Sequence, residues 1–234
     1  MIKRRIKPLT TLLALYFILS LTCSTVFAVE PVLTDFTPPK NMQASVDAIN
    51  HYVKEGKYTA GLNQIGEKAL EYLMTFENNL DYGSDKPPAI VFDIDETCLS
   101  NYAHLKAVTY GYNTKSWSTW LNKGEGAVIQ PSLTLFNQAK KMGIAIFLIS
   151  MRPDNFRQVT IKNMNKIGYS GWTALYLPDA AQVKGLAQDF KAPKRKQISE
   201  KYNIILNIGD QFSDLTGGYA EKTFKYPDPF YFVP

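Results

Sequence analysis

Histidine and cysteine are scarce, with two of each in 234 residues. Neither histidine, His51 or His104, sits in an Arg-His-Gly context, which argues against phosphohistidine chemistry. Two imidazoles also fall short of a dinuclear metal centre built on histidine ligands. Only Cys98 remains once the first 28 residues are removed, and one thiol cannot form an internal disulfide. Free cysteines of this kind are usually buried and inert, so Cys98 is not a candidate nucleophile. The fold must rest on its core, and a hydrophobic content of 45% supports one. Excess charge is missing as well, once located. Four cations (Lys3, Arg4, Arg5, Lys7) precede a segment with no acid before Val29. Without them, 22 Lys and Arg face 21 Asp and Glu, a net charge of +1 rather than +5. A nearly neutral body speaks against a nucleic-acid polymer as partner.

The basic opening is followed by the uncharged run Leu9–Val29 and by Val26-Phe27-Ala28, whose first and third residues suit a signal peptidase. The expectation is a signal peptide over 1–28, cleaved to leave a mature chain from about Val29. That chain would be periplasmic or secreted, with no stable membrane association. Two alternatives compete: retention of the run as an anchor, and lipidation of Cys23. Ser20-Leu21-Thr22 is a poor lipobox, because Thr replaces the small residue before the cysteine.

Residues 29–85 read as an extended lead-in, rich in proline and threonine over Glu30–Lys40, and then a helical extension over Met42–Leu80. Leu62, Ile65, Ala69, Leu73 and Phe76 mark its apolar face. Ser84-Asp85-Lys86-Pro87-Pro88 ends it, and residues 86–234 form the core. There the short apolar runs Ala89–Phe92, Ile144–Ile149, Ala174–Leu177 and Ile204–Ile208 alternate with helical stretches at Ser132–Met142, Asn155–Ile167 and Arg195–Tyr202. Gly143 and Gly168 lie just past two of these helices, where left-handed residues commonly end them. The pattern implies an α/β fold, Rossmann-like and three-layered, with a parallel sheet covered on both faces. Ligands of such sheets gather beyond the carboxyl ends of the strands.

Those ends carry chemistry. The first strand runs into Asp93-Ile94-Asp95-Glu96-Thr97, the second into Ser150-Met151-Arg152, and the last into Gly209-Asp210-Gln211-Phe212-Ser213-Asp214. Asp93, Asp95, Asp210 and Asp214 at one edge are costly unless a cation or proton compensates. Oxygen-only ligation suits Mg2+, which also binds a substrate phosphate. The acids can then divide the labour: Asp93 as nucleophile, Asp95 as the acid that protonates the leaving alcohol and the base that activates water. Backbone N–H groups after Asp93, beginning with Ile94, the hydroxyl of Ser150 and a lysine would hold the phosphoryl oxygens. Spacing alone does not choose among Lys191, Lys194 and Lys196.

Asp93–Thr97 resembles the first motif of haloacid-dehalogenase (HAD) phosphatases. The fuller run Val91–Tyr102 (VFDIDETCLSNY) is similar to the subfamily IIIB acid phosphatase branch, with its class B-like enzymes and plant vegetative storage proteins. The resemblance makes Ser150 the second-motif hydroxyl and Gly209–Asp214 the acidic fourth motif. Phe190-Lys191 aligns with the aromatic-lysine pair, which selects Lys191. It spans almost the whole mature chain, through Gly56-Lys57-Tyr58, the pair Trp117 and Trp120, and Pro227-Asp228-Pro229-Phe230-Tyr231. One departure is Met151, at a position usually glycine. The resemblance implies a HAD fold with a small inserted cap at about 101–130, and a Mg2+-dependent acid phosphatase acting on phosphate monoesters.

Other readings stay open. Arg152 is a phosphate ligand or half of a structural ion pair. Asp214 binds the metal or orients Lys191, and Thr97 braces the first-motif loop. Trp117, Trp120, Tyr110 and Tyr112 form either a wall for an aromatic leaving group or the small core of the insertion. A storage or binding protein that lost its activity, and a phosphotransferase, are the competing functions.

Overall fold

The computed structural model describes residues 41–77 and 84–234. The expected signal peptide and extended lead-in, and the end of the expected helix at Leu80, lie outside them. No helix among the described residues is long and apolar enough to cross a membrane.

Two helices come first, α1 (Met42–Lys54) and α2 (Lys57–Met74). The apolar face of α2 is buried at Leu62, Ala69 and Leu73. Gly66 lets it approach the next layer: a Cβ there would lie 2.3 Å from Pro131 Cβ. The core sheet is built from β1 (Pro88–Phe92), β4 (Ala145–Ile149), β5 (Ala174–Tyr176), β6 (Asn203–Gly209) and β7 (Lys222–Lys225). Its order is β5-β4-β1-β6-β7, with every pairing parallel. Between β1 and β4 lie a two-stranded antiparallel pair, β2 (Leu99–Ser100) with β3 (Ala127–Val128), and the helices α3 (Tyr102–Ala107), α4 (Thr114–Lys123) and α5 (Gln130–Lys141).

Strand alternation sorts the side chains into two cores. Ile90 and Phe92 of β1 and Ile146 and Leu148 of β4 point to the face covered by α2, α5 and α6 (Arg157–Lys166). Ala89 and Val91, with Phe147 and Ile149, point to the other face, under α7 (Ala187–Ser199). Each fully buried Ile or Phe stabilises the fold by about 1.5–3 kcal/mol relative to exposure. The three layers and the parallel sheet are those read from the sequence.

Two elements differ from expectation. Helix α7 starts at Ala187 rather than Arg195, and Pro193 stands inside it. An interior proline costs about 3 kcal/mol, here offset by burial of Phe190 and Ile198 along the same helix. Edge strand β7 has no apolar run to announce it; only Phe224 is buried.

Candidate active site

Strand β1 is central. The chain runs outward from it on one side to β4 and β5, and on the other to β6 and β7. The carboxyl ends of β1, β4 and β6 therefore meet at the topological switch point. They bring Asp93, Ser150 and Asp210 to one edge.

The Asp93 N–H continues the ladder to Ile208 O at 3.0 Å, and the chain then folds tightly. The Ile94 carbonyl accepts from the N–H groups of Thr97, Cys98 and Leu99. Glu96 takes a left-handed φ of 51°. This loop buries the Ile94 side chain in the core and leaves the Asp93 and Asp95 carboxylates on a cavity of about 400 Å3. Tyr110, Tyr112 and Trp117 of the segment after β2 wall the cavity, together with Tyr231 and Phe232 near the end of the chain.

The acids divide into two sets. Asp93, Asp210 and Asp214 are buried, and a carboxylate oxygen from each lies within 4.8 Å of the others. Lys191 bridges two of them, donating to Asp93 Oδ1 at 2.5 Å and also to Asp214 Oδ1. Burial pushes Asp93 up to about 7 against the pull of Lys191, with Asp214 and Asp95 adding to the rise. Burial, followed by Asp214 and Asp93, raises Asp210 well above the usual carboxyl range. Lys191 itself loses to burial but is held above its ordinary value by Asp214 and Asp93. Two of the three buried carboxylates share the Lys191 ammonium, and the three together are an oxygen-only set with excess negative charge, which fits a hard divalent cation.

Local structure fixes this cluster. The Asp214 carboxylate turns back to accept the Gln211 N–H at 2.9 Å, the reciprocal cap of the short helix α8 (Phe212–Leu215). Gly209 makes room for it: a Cβ there would lie 2.4 Å from Asp214 Oδ2. The buried Arg195 guanidinium donates to the carbonyls of Asp214 and Thr216. Thr97 donates to Asp210 Oδ1 at 3.2 Å, so it does brace the first-motif loop.

Asp95 turns the other way. Arg152 reaches it through Nε, at 3.0 and 3.1 Å, and through Nη2 at 2.7 Å. The Asn101 amide also donates to Asp95, at 2.7 Å. Burial alone would raise this carboxyl, yet Arg152 and Asn101 outweigh it and hold it below the usual range. Of the four acids expected to hold a metal, three lie together, and the fourth, Asp95, is paired with a guanidinium. Arg152 forms the ion pair, and its remaining Nη1 donates to Thr160 at 3.3 Å. The Ser150 hydroxyl accepts the Arg152 N–H at 3.1 Å and lies 3.5 Å from Asp95 Oδ2.

The aromatic residues split as well. Tyr112 and Trp117 line the cavity, and Tyr112 is 77% exposed. Trp120 stacks on His104 and donates its indole N–H to Asn101 Oδ1 at 2.8 Å. Tyr110 lines the cavity and also stacks on Phe230. Sequence reasoning missed Asn101, Glu96 and Tyr231 as parts of the site. The Tyr231 hydroxyl donates to Glu96 at 3.1 Å, tying the end of the chain to the first-motif loop.

The sequence model of the HAD superfamily, subfamily IIIB (Acid phosphatase), matches residues 20–234. "Acid phosphatase 1" of Solanum lycopersicum is 29% identical over 192 residues, 80% of this chain and 74% of that one. "Vegetative storage protein 2" of Arabidopsis thaliana is 33% identical over 192 residues, 78% of this chain and 71% of that one. Among solved structures, the class C acid phosphatase from Bacillus anthracis with tungstate bound is similar, with a TM-score of 0.68 and 27% identity. That match covers 82% of this chain and 86% of the other.

Proposed function

The chain belongs to the HAD superfamily, subfamily IIIB acid phosphatases, and from that premise we propose an exported, Mg2+-dependent phosphomonoesterase with Asp93 as nucleophile. The observation that carries the reading is the buried set Asp93, Asp210 and Asp214, within 4.8 Å of one another on the cavity floor, with Lys191 bridging Asp93 and Asp214.

In the first step an Asp93 carboxylate oxygen attacks phosphorus. The bond to the alcohol breaks, and the alcohol oxygen takes a proton from Asp95. In the second step water gives its proton to Asp95 and attacks the aspartyl-phosphate, releasing phosphate and restoring Asp93. Lys191, the Ile94 N–H and the Ser150 hydroxyl receive the phosphoryl oxygens as charge builds. Arg152 stays with Asp95 and keeps that carboxyl on the leaving-group side. A divalent cation held by Asp93, Asp210 and Asp214 would neutralise the acids and the incoming phosphate. Because Arg152 and Asn101 hold the Asp95 carboxyl low, protonation of the leaving group is favoured by acidic conditions. The Bacillus anthracis relative binds tungstate, an oxyanion shaped like phosphate, which supports oxyanion binding by this chain. The export reading rests on residues 1–28 of the sequence alone.

The vegetative storage protein relatives favour a second reading, a weakly active storage protein. Retention of Asp93, Asp95, Lys191, Asp210 and Asp214 together argues against it. One experiment decides. Purified Val29–Pro234 should hydrolyse p-nitrophenyl phosphate, lose that activity in EDTA and regain it with Mg2+. Asp93→Asn should lower turnover at least about 10^4-fold with an unchanged circular dichroism spectrum. Full activity in that variant overturns the nucleophile; no activity in the folded parent protein favours storage.

A further inference from the structure

Asn101 occupies the N-cap of α3, yet its side chain makes no capping hydrogen bond. This is unusual for asparagine, which is favoured at that position because its side-chain oxygen satisfies a helix N–H. Here the fully buried amide points elsewhere. Nδ2 donates to Asp95 Oδ1 at 2.7 Å and to Glu96 Oε2 at 3.1 Å. Oδ1 accepts from Trp120 Nε1 at 2.8 Å and, more weakly, from Arg152 Nη2 at 3.5 Å. The backbone N–H adds a bond to Glu96 Oε1 at 2.5 Å. Two carboxylates face the amide nitrogen and two N–H donors face the amide oxygen. Only an amide presents a donor face and an acceptor face in this shape. Aspartate would set a third carboxylate against the other two, and alanine would leave Trp120 without its acceptor.

We propose that Asn101 is a positioning residue for the proton transfer at Asp95, and that Trp120 of α4 acts on that transfer through it. The inference rests on the acid/base reading of Asp95 given above. Asn101 and Arg152 grip the same carboxylate oxygen, Oδ1, and together fix the plane of the Asp95 carboxyl. Oδ2 keeps its contact with Arg152 Nε at 3.0 Å and lies 3.5 Å from the Ser150 hydroxyl. A carboxyl free to rotate would still carry a proton but would present it to the leaving oxygen less often. The indole of α4 anchors the amide from the far side, so a shift of that helix moves the amide that Asp95 leans on.

The test uses leaving groups that differ in their need for a proton. p-Nitrophenolate leaves readily as an anion, whereas an alkoxide from β-glycerophosphate needs protonation. In the Mg2+-loaded enzyme, Asn101→Ala should lower kcat on β-glycerophosphate about 100-fold and on p-nitrophenyl phosphate less than about 10-fold, with KM changed little on either. Trp120→Phe, which removes the indole donor and keeps an aromatic ring, should bias the two substrates in the same direction by about threefold. Asp95→Asn sets the reference and should discriminate most strongly. Equal losses on the two substrates in Asn101→Ala, with discrimination intact in Asp95→Asn, would mean a merely structural role and overturn the inference. If Asn101→Ala does not fold, the substrate ratio of Trp120→Phe decides in its place. Absence of discrimination in Asp95→Asn sinks the acid assignment itself, and the inference with it.

Discussion

The two sides of the cavity floor handle buried charge in opposite ways. On the lysine side, Asp93, Asp210 and Asp214 lie together, and the ammonium of Lys191 pairs with Asp93 and Asp214. On the arginine side, Asp95 has a guanidinium to itself and an amide besides. The first arrangement is short of positive charge and raises the carboxyls of Asp93 and Asp210. The second is balanced and lowers that of Asp95. Two aspartates one residue apart thus acquire different chemistry from their neighbours alone. In the mechanism proposed above, the first side is completed by a cation and a phosphate. The other is balanced within the protein, and in the mechanism proposed above it trades a proton.

The largest effect should come from removing an acid on the lysine side. Asp210→Asn should lower phosphatase turnover about 1,000-fold and abolish any rise in Tm that Mg2+ gives the parent protein. A variant that keeps the Mg2+-dependent rise would show that the cation does not sit there. The arginine side should break through stability as well as rate. Arg152→Met strands Asp95, and loss of one partner of a buried pair costs about 3 kcal/mol; urea unfolding at neutral pH measures it. An unchanged midpoint would mean that solvent already screens the pair.

The mildest probe is pH. Burial, with Lys191 opposing and Asp214 and Asp95 assisting, takes Asp93 to about 7. Burial and Asp95, against the bonds from Asn101, take Glu96 to about 8. Both lie above the value of about 4 for a carboxyl in the unfolded chain. The folded protein therefore holds protons that the unfolded chain has released. The stability this linkage contributes is fully present below about pH 4 and is lost as pH rises through about 7 and 8. Asp95 has the opposite sign, but its window lies on the acid side of the ordinary carboxyl range. In EDTA, Tm should fall by several degrees between pH 5 and pH 8. With Mg2+ the fall should be shallower, since a cation replaces the proton on Asp93 and leaves the contribution of Glu96. A Tm that climbs over this range in EDTA would contradict the charge-deficient description of the lysine side.

Much of the fold was legible because the buried strands are short apolar runs and each ends in chemistry. Asp93, Asp95 and Asp210 could be placed at one edge from the strand pattern alone. Lys191 was harder: it lies on a helix with an interior proline, which hides the helical register. Resemblance had to select it from three lysines. The division of the acids into three and one was not legible, because it depends on which way two carboxylates turn. Asn101 stood within the quoted run Val91–Tyr102, but an asparagine before a helix normally signals a cap. Its inward use shows only when Trp120 and Arg152, distant in sequence, arrive beside it.

That distance in sequence bears on how the protein folds. Lys191 meets Asp93 across 98 residues, and Thr97 meets Asp210 across 113. No local fragment can assemble the site, and parallel strands separated by such spans pair slowly because loop closure precedes any gain from contact. A chain threading outward from its N-terminus presents Asp93 and Asp95 long before Lys191 and Asp210 follow. The repulsion among the acids is met only once β6, whose end carries Asp210, pairs with β1. Until that pairing Asp93 is an ordinary aspartate.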